Sequence, residues 1–464
     1  MATTATTHME ALNRCSRKRA KWTYAEAGSR RLFASLLLTN RDAVTKLLIF
    51  VLIAGMTAVL GSTAIGQIGA NKPGIPVGGH EPNLPTVFLE AKEQIVSERK
   101  VPCTLKIVCP KGSERGNIGP LPGVAGFHGA TSQGFPKKSF SIALAEPAQL
   151  LDMRTHDNWI LNAAYIDRSL MRHKLSFDLF RSLSSGSAKR FAVASRFVEV
   201  YLNGSYNGAY LLMERVDKQL LELRDYRSSE ANPVCIYKAI NHAANFGEQG
   251  HSGYEQREPD PAVRTYWEPL DEFNRFVIAS PTGEFFNPQT GIESRLDLDN
   301  AIDFHLLVLL TCNMDGITKN FYLARNGQES GPPNQRFFFA PWDYDGTFGR
   351  NWNATVVPPS AWLSNNLFDR LLGNATYREK FVARWNYLRD HAFSVETIRG
   401  MIDNCVRTLG DAAHRNVARW PTAGGPYPDK LTFEEDISQM KLWTEARIKW
   451  LDRQINQNLG RHHK

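Results

Sequence analysis

The sequence TCNMDGITKNFYL at residues 311–323, followed by RFFFAPWDYDGTFG at residues 336–349, is the stretch that decides the fold. Asp315 is followed five residues later by Asn320. The second half is an apolar run that ends abruptly in Asp343, with Asp345 two residues further on. Carboxylates placed directly after a buried strand lie at its open end, where a metal ion or a substrate can reach them.

An Asp, an Asn five residues later and a second Asp ending the next strand is the spacing of kinase-type phosphotransferases. There the first Asp accepts the proton of the acceptor hydroxyl, and the Asn and the second Asp bind Mg²⁺. The alternative is that Asp315 and Asn320 cap one turn, and that residues 343–346 form another.

Composition and charge describe an ordinary globular chain with a basic N-terminus. The 464 residues are 42% hydrophobic and 22% charged, and their length suggests two or three folding units. Residues 1–46 account for +6 of the formal net charge of +8, so the body gives no support for nucleic-acid binding. Six cysteines show no zinc spacing, although Cys103 and Cys109 could pair in an exported domain.

The N-terminal region predicts a membrane segment. After the basic tail, residues 47–70 contain no charge, and 24 such residues suffice to cross a bilayer of about 30 Å. The basic flank places the N-terminus inside and the body outside the cytoplasm. A signal peptide cleaved near residues 62–64, which would release a secreted body, is the alternative. Residues 71–85 are rich in Pro and Gly and predict a linker.

A glycine-rich segment and two lysines open the folded body. Residues 123–134 can contact phosphate through backbone N–H groups and the hydroxyls of Thr131 and Ser132. In the strand that follows, alternation places Lys138 on the inward face and Lys137 on the outward face. An inward lysine after a glycine loop suits phosphate binding, whereas the simpler interpretation is a lysine at a strand start.

The remaining elements follow in the order of a two-lobed kinase. Residues 167–183 predict an amphipathic helix, and residues 196–213 predict a β-hairpin that leads to Glu214. Residues 223–295 predict a polar insertion, with a possible short strand at residues 235–239. From residue 296 the periodicity is helical. We therefore predict an α+β fold with a β-rich N-lobe at residues 86–222 and a helical C-lobe at residues 296–464.

Several motifs together resemble the CotH kinases of bacterial spore coats. The matching pieces, which span about residues 85–455, are HGATSQGFPKKSF, NWILNAAYIDRSLMRHKL, RFVEVYLNGSYNGAYLLMERVDK, NMDGITKNFYL, PWDYDGTFG and a C-terminal ARIKWLDRQI. The resemblance implies an atypical protein-kinase-like fold. It also implies transfer of phosphate from ATP to Ser or Thr of a protein substrate, with Mg²⁺ or Mn²⁺.

The resemblance also implies residue roles. Lys138 would contact the α and β phosphates, and Glu214 would lie near the adenine. Asp315 would be the catalytic Asp, and Asn320 and Asp343 would bind the metal ion, with Asp345 as a supporting carboxylate.

Two departures from the family pattern leave an inactive pseudokinase or coat-type binding protein open. His128 stands where the family has an Arg, and the helix after Asp167 offers Asp178 but no Glu to pair with Lys138. A hydrolase with Asp343 and Asp345 as paired acids is a further alternative. Two Asp at i and i+2 point the same way, however, which suits a metal ion better.

Overall fold

The computed structural model describes residues 83–114, 116–186, 188–327, 331, 335–421 and 431–460. The predicted tail, the hydrophobic segment and nearly all of the linker therefore lie outside the described residues. Within the described ranges, no helix is long and apolar enough to cross a membrane.

Seven strands near the N-terminus form a closed barrel. Its neighbours run in the order β1-β2-β3-β4-β5-β7-β6, and the parallel pairing of β1 with β6 closes it. The strands are β1 (Thr86–Ala91), β2 (Val101–Val108), β3 (Ile118–His128), β4 (Ser139–Gln149), β5 (Thr155–Asn162), β6 (Ser195–Leu202) and β7 (Ser205–Met213). Aliphatic and aromatic side chains from all seven strands fill the barrel interior, so it is a packed core rather than a channel.

The predicted β-hairpin is confirmed as β6 and β7. Their two-residue turn is Asn203 and Gly204, which have positive φ angles of 48° and 77°. Two-residue hairpin turns favour such backbone angles because their twist matches that of the flanking strands. The Asn-Gly pair therefore fixes the register of the hairpin.

A second sheet lies after the barrel in the sequence and has the order β11-β10-β8-β9. Its strands are β8 (Cys235–Ala239), β9 (Tyr254–Glu258), β10 (Phe321–Arg325) and β11 (Phe338–Pro341). The short strand predicted at residues 235–239 is confirmed, and it pairs antiparallel with β10. Part of the segment predicted as an insertion thus contributes half of the sheet that bears the acidic motif.

Of the α-helices with seven or more residues in the described part of the chain, one lies between β5 and β6 in the sequence and the others follow β9. They are α1 (Arg172–Ser182), α2 (Glu268–Ala279), α3 (Leu298–Thr311), α4 (Asn366–Leu372), α5 (Ala375–Arg389), α6 (Val395–Leu409), α7 (Asp411–Arg419) and α8 (Phe433–Arg453). The fold is mixed α+β, with a β-rich first part and a helical second part. No disulfide joins Cys103 and Cys109 among the described residues.

Helix α3 is the central helix of the second core. The carboxylate of Asp297 caps its N-terminus by accepting the amide of Asn300, and every residue from 300 to 311 is buried. Cys312 ends the helix in the left-handed conformation, with a φ of 51°. The helical periodicity that begins at residue 296 is therefore confirmed for this buried helix, which runs into the Asp315 loop.

Candidate functional site

Asn320 and Asp343 lie at the same end of the second sheet. Asn320 directly precedes β10, and Asp343 follows β11 after one residue, while Phe321 pairs with Pro341 across the two strands. The amide of Trp342 donates to the carbonyl of Asn320 at 3.0 Å. Antiparallel pairing thus brings together two residues that are 23 positions apart in the sequence.

Asn313 joins the Asp315 loop to the turn that contains Asp343. Its side-chain amide donates to the Asp343 carbonyl at 3.2 Å, and its side-chain oxygen accepts the Gly316 amide at 2.9 Å. The Asp315 carboxylate lies 3.0 Å from the ammonium of Lys319. The predicted catalytic loop and the predicted metal-binding turn are therefore parts of one hydrogen-bonded unit.

Two of the candidate metal ligands have unusual backbone conformations. The φ angle is 60° at Asn320 and 57° at Asp343. Non-glycine residues in this region cost about 1 kcal/mol or more, and such strain clusters at functional sites, where neighbouring structure enforces it. Asn and Asp tolerate the region better than other residues, which accounts for their presence here.

The carboxylates of Asp343 and Asp345 in the acidic turn repel each other. Burial, followed by the negative charge of Asp343, raises the pKa of Asp345 to about 7. Burial also opposes ionisation of Asp343, but a contact of 3.4 Å with the Nε2 atom of His173 lowers its pKa below the usual value. The side chain of Asp343 is nevertheless 45% exposed, so it is open on one side.

A buried arginine holds the acidic turn in place. The guanidinium of Arg172 binds both oxygens of Asp436 at 2.6 and 2.7 Å, and it also binds Asp167. Its Nε atom donates to the carbonyl of Thr347 at 2.9 Å. Helix α1, helix α8 and the turn after β11 therefore meet at one side chain. The adjacent His173 is thereby positioned against Asp343.

The donor set suits a hard divalent cation. Among the described residues, no group of three or more His, Cys, Asp or Glu side chains is arranged as a metal site. The candidate ligands are instead oxygen atoms alone, from Asp343, Asp345 and the side chain of Asn320. Mg²⁺ commonly binds to few protein oxygens and completes its coordination shell with water and phosphate oxygens. A cation would also relieve the repulsion that raises the pKa of Asp345.

A sequence model of the family described as CotH kinase protein matches residues 125–451. This chain belongs to the CotH kinase family. Inner spore coat protein H of Bacillus subtilis (strain 168) is 28% identical over 327 residues, which cover 67% of this chain and 81% of that protein. The matched region of this CotH family member runs from β3 into α8 and includes both acidic segments.

In the glycine-rich segment, His128 at the end of β3 lies near enough to the acidic site to feel its charge. The charges of Asp343, Arg215 and His173 influence His128, whose pKa falls to about 4, chiefly because of burial. Ser132 donates to the backbone of His128 at 3.4 Å, and Thr131 is exposed. In the part of the chain that the structure describes, neither hydroxyl bonds to an acidic side chain of the site.

The predicted orientation of the two lysines is wrong. Lys137 is 2% exposed, and its ammonium donates to the carbonyls of Ala163 and Ala209 and to the side chain of Asn416. Lys138 is half-buried, and its ammonium donates to the carbonyl of Gln133 at 2.6 Å. Both lysines precede the first residue of β4, so strand alternation does not apply to them.

Glu214 lies at the end of β7, where its carboxylate is engaged within the barrel. It accepts the amides of Ala194 at 2.8 Å and of Arg154 at 3.3 Å. It also lies 3.4 Å from the Nε atom of Arg154. The hydrogen bonds that the structure describes for Lys138 and Glu214 therefore go to other groups, whereas strand pairing and Asn313 link Asn320, Asp343 and the Asp315 loop.

The roles of Arg172, His173 and Arg447 were missed from the sequence. Arg172 and His173 belong to the CotH motif DRSLMRHK, and Arg447 belongs to ARIKWLD. Arg447 is buried and donates to the carbonyl of Leu309 at the end of α3, directly before the Asp315 loop. The sequence did indicate such residues, because a charged residue within an otherwise apolar helical face is buried and therefore requires partners.

Proposed function

We propose that this chain is a metal-dependent kinase that transfers the γ-phosphate of ATP to a Ser or Thr hydroxyl of a protein substrate. The observation that carries the proposal is the link through Asn313 between the Asp315 loop and the Asp343 turn. Through that link, the proposed base Asp315 lies near the proposed metal ligands Asp343 and Asp345, at one end of the second sheet. Membership of the CotH kinase family supports the same reaction class.

Catalysis would come from positioning the acceptor hydroxyl and from neutralising the negative charge of the phosphates. Asp315, oriented by Lys319 at 3.0 Å, accepts the proton of the acceptor hydroxyl. Asn320, Asp343 and Asp345 would hold the divalent cation, whose chemistry would be to neutralise negative charge on the phosphates. The closed barrel on one side and the helical core on the other support the proposed two-lobed, kinase-like arrangement.

A non-catalytic binding protein is the second candidate, and one contact favours it. His173 lies 3.4 Å from Asp343, and its protonated form would supply part of the positive charge that a metal ion otherwise provides. The related Bacillus subtilis protein is named as an inner spore coat protein. We accordingly propose a coat-associated or extracellular location for the body, with residues 47–70 as the predicted membrane attachment.

Nucleotide binding with and without metal tests the proposed site. We expect ATP with Mg²⁺ or Mn²⁺ to raise the melting temperature of the full-length chain in detergent, and ATP with EDTA to have little effect. Asp343→Ala removes the metal-dependent increase because it deletes a ligand. Asp403→Ala, which changes a half-exposed carboxylate on α6 paired with Lys441, is the matched control and keeps the increase. An undiminished increase in Asp343→Ala contradicts the assignment.

A further inference from the structure

Lys238 of β8 lies on the same face of the second sheet as the acidic site. It pairs with Tyr322 of β10, and alternation places both on the face that also carries Trp342. The ammonium of Lys238 is 6.0 Å from the ring centroid of Tyr322 and 5.6 Å from that of Trp342. Because Trp342 directly precedes Asp343, this ammonium lies beside the acidic turn.

The Lys238 ammonium lacks an anionic partner. Across the described ranges, its side chain forms no ion pair and no hydrogen bond, and its contacts are the two aromatic faces. Glu255, its neighbour on β9, is instead paired with Arg257 at 2.8 Å. Burial, followed by the charge of Arg257, lowers the pKa of Lys238, while Asp343 opposes this effect. A partly buried cation held without a counter-ion is costly unless it serves a ligand.

A second cationic side chain, that of Arg215, lies near Lys238. The charge of Arg215, which follows β7, acts on both Lys238 and His128. The charge of Asp343 also acts on Lys238 and His128, so positive side chains lie near a candidate metal ligand. A polyphosphate bound to a divalent cation fits this arrangement. Its negative oxygens suit the positive side chains, and its cation suits the carboxylates.

The other two candidate lysines are already committed to protein acceptors. Lys137 donates to two backbone carbonyls and to Asn416, and Lys138 donates to the Gln133 carbonyl. We propose that Lys238, rather than Lys138, contacts the phosphates of the bound nucleoside triphosphate, an inference that rests on the proposed kinase function. The polar segment between the barrel and α3 thereby supplies a residue of the nucleotide site.

Calorimetric titration of the full-length chain in detergent tests this proposal, with ATP plus Mg²⁺ and adenosine as the two probes. Lys238→Met keeps an aliphatic stem against Tyr322 and Trp342 but removes the charge. We expect it to weaken ATP binding by about 10- to 100-fold, because a charged hydrogen bond to phosphate is lost. Adenosine binding should change by less than about 3-fold, since adenosine has no phosphate. Lys238→Arg should retain most of the ATP affinity.

Lys138→Met is the matched control, and it should leave ATP binding within about 3-fold of the unmodified chain. A Lys238→Met variant that folds, as judged by its melting temperature, and binds ATP like the unmodified chain overturns the assignment of Lys238 alone. If Lys238→Met does not fold, Lys238→Gln provides the same comparison. If the unmodified chain itself binds no ATP, both this assignment and the kinase proposal are wrong.

Discussion

Arg172 is the residue on which the geometry of the acidic turn depends most. It is almost fully buried, and it binds carboxylates that are separated by 269 positions, Asp167 and Asp436. Breaking a buried ion pair leaves an uncompensated charge, which typically costs about 3–5 kcal/mol. The same change would release the Thr347 carbonyl and with it the support of His173.

We therefore predict that Arg172→Met lowers the free energy of unfolding by about 3–5 kcal/mol, measured by urea titration at neutral pH. Arg99→Met is the control, because Arg99 and Glu93 form an exposed pair and such pairs contribute about 1 kcal/mol or less. An equal decrease in the free energy of unfolding in the two variants would show that the buried ion pairs of Arg172 contribute no more than an exposed pair.

The burial of His305 in α3 leads us to expect that the stability of the core decreases at acidic pH. It is fully buried, donates through Nε2 to the carbonyl of Leu363 at 2.8 Å, and burial lowers its pKa to about 4 from a usual 6.5. The unfolded chain therefore binds a proton that the folded chain excludes. The stabilisation is present above pH 6.5 and is lost as the pH falls toward 4.

For this group alone, the loss between pH 7 and pH 5 is about 2 kcal/mol. We expect His305→Gln, which does not titrate and keeps a donor, to reduce the pH dependence of unfolding by that amount in paired urea titrations. An unchanged pH dependence would mean that His305 has the same pKa in the folded and the unfolded chain, which contradicts this prediction.

At the residue scale, the sequence placed Asn320 and Asp343 beside strand ends, as the structure has them, but it oriented the two lysines wrongly. The catalytic and metal-binding roles of the acidic motif stay predictions. Asp315, Asn320 and Asp343 were identifiable because each adjoins an element end, where spacing and hydrophobicity constrain position. Lys137 and Lys138 were not, because they precede β4 and because residues 139–142 are buried on both faces of the barrel wall. The partners of Lys137 come from three distant segments, which no local pattern reveals.

At the scale of elements, helix α7 is attached to the barrel through Gly208 on β7. The side-chain oxygen of Asn416 accepts from Lys137 at 2.9 Å and from the amide of Ala209 at 3.2 Å. Gly208 has a φ of 106°, and a Cβ atom there would lie 2.6 Å from that same oxygen and 3.1 Å from Trp420. The helix can approach this closely only because residue 208 has no side chain.

We predict that Gly208→Ala destabilises the protein by about 1–3 kcal/mol, since it combines an unfavourable φ with a steric clash. Gly400→Ala is the matched control. Gly400 is an exposed position of α6 with open space around it, so alanine should be neutral or stabilise by about 0.5–1 kcal/mol. Urea unfolding of both variants measures the difference, and a Gly208→Ala variant as stable as Gly400→Ala would contradict this account of α7.

Elements with strong local signals were predictable, whereas their partners were not. The β6–β7 hairpin, helix α3 and helix α6 agree closely with the sequence patterns. The polar segment at residues 223–295 contains β8, β9 and α2, although its periodicity is weak. β8 lies inside the sheet between β10 and β9, so its burial comes from these neighbouring strands, and β9 at the edge needs little hydrophobic pattern of its own.

At the scale of the molecule, buried arginines join the helical core to the candidate site. Arg172 connects α1 and α8 to the acidic turn, and Arg447 of α8 binds the last turn of α3 before the Asp315 loop. Arg447 also donates to the carbonyls of Pro359 and Ala361. The long C-terminal helix thus supports both halves of the candidate site from behind.

The central claim is that Asp315 and the Asp343 turn together transfer phosphate. The most direct measurement is transfer of labelled γ-phosphate from ATP, with Mg²⁺ or Mn²⁺, to the chain itself or to a generic Ser- and Thr-containing protein. We expect metal-dependent labelling by the full-length chain and by the Asp403→Ala control. Asp315→Ala should reduce labelling by roughly 10²- to 10⁴-fold while ATP still binds, because it removes the base and spares the nucleotide site. Undiminished labelling by Asp315→Ala, or ATP binding without any labelling by the unmodified chain, would contradict the account.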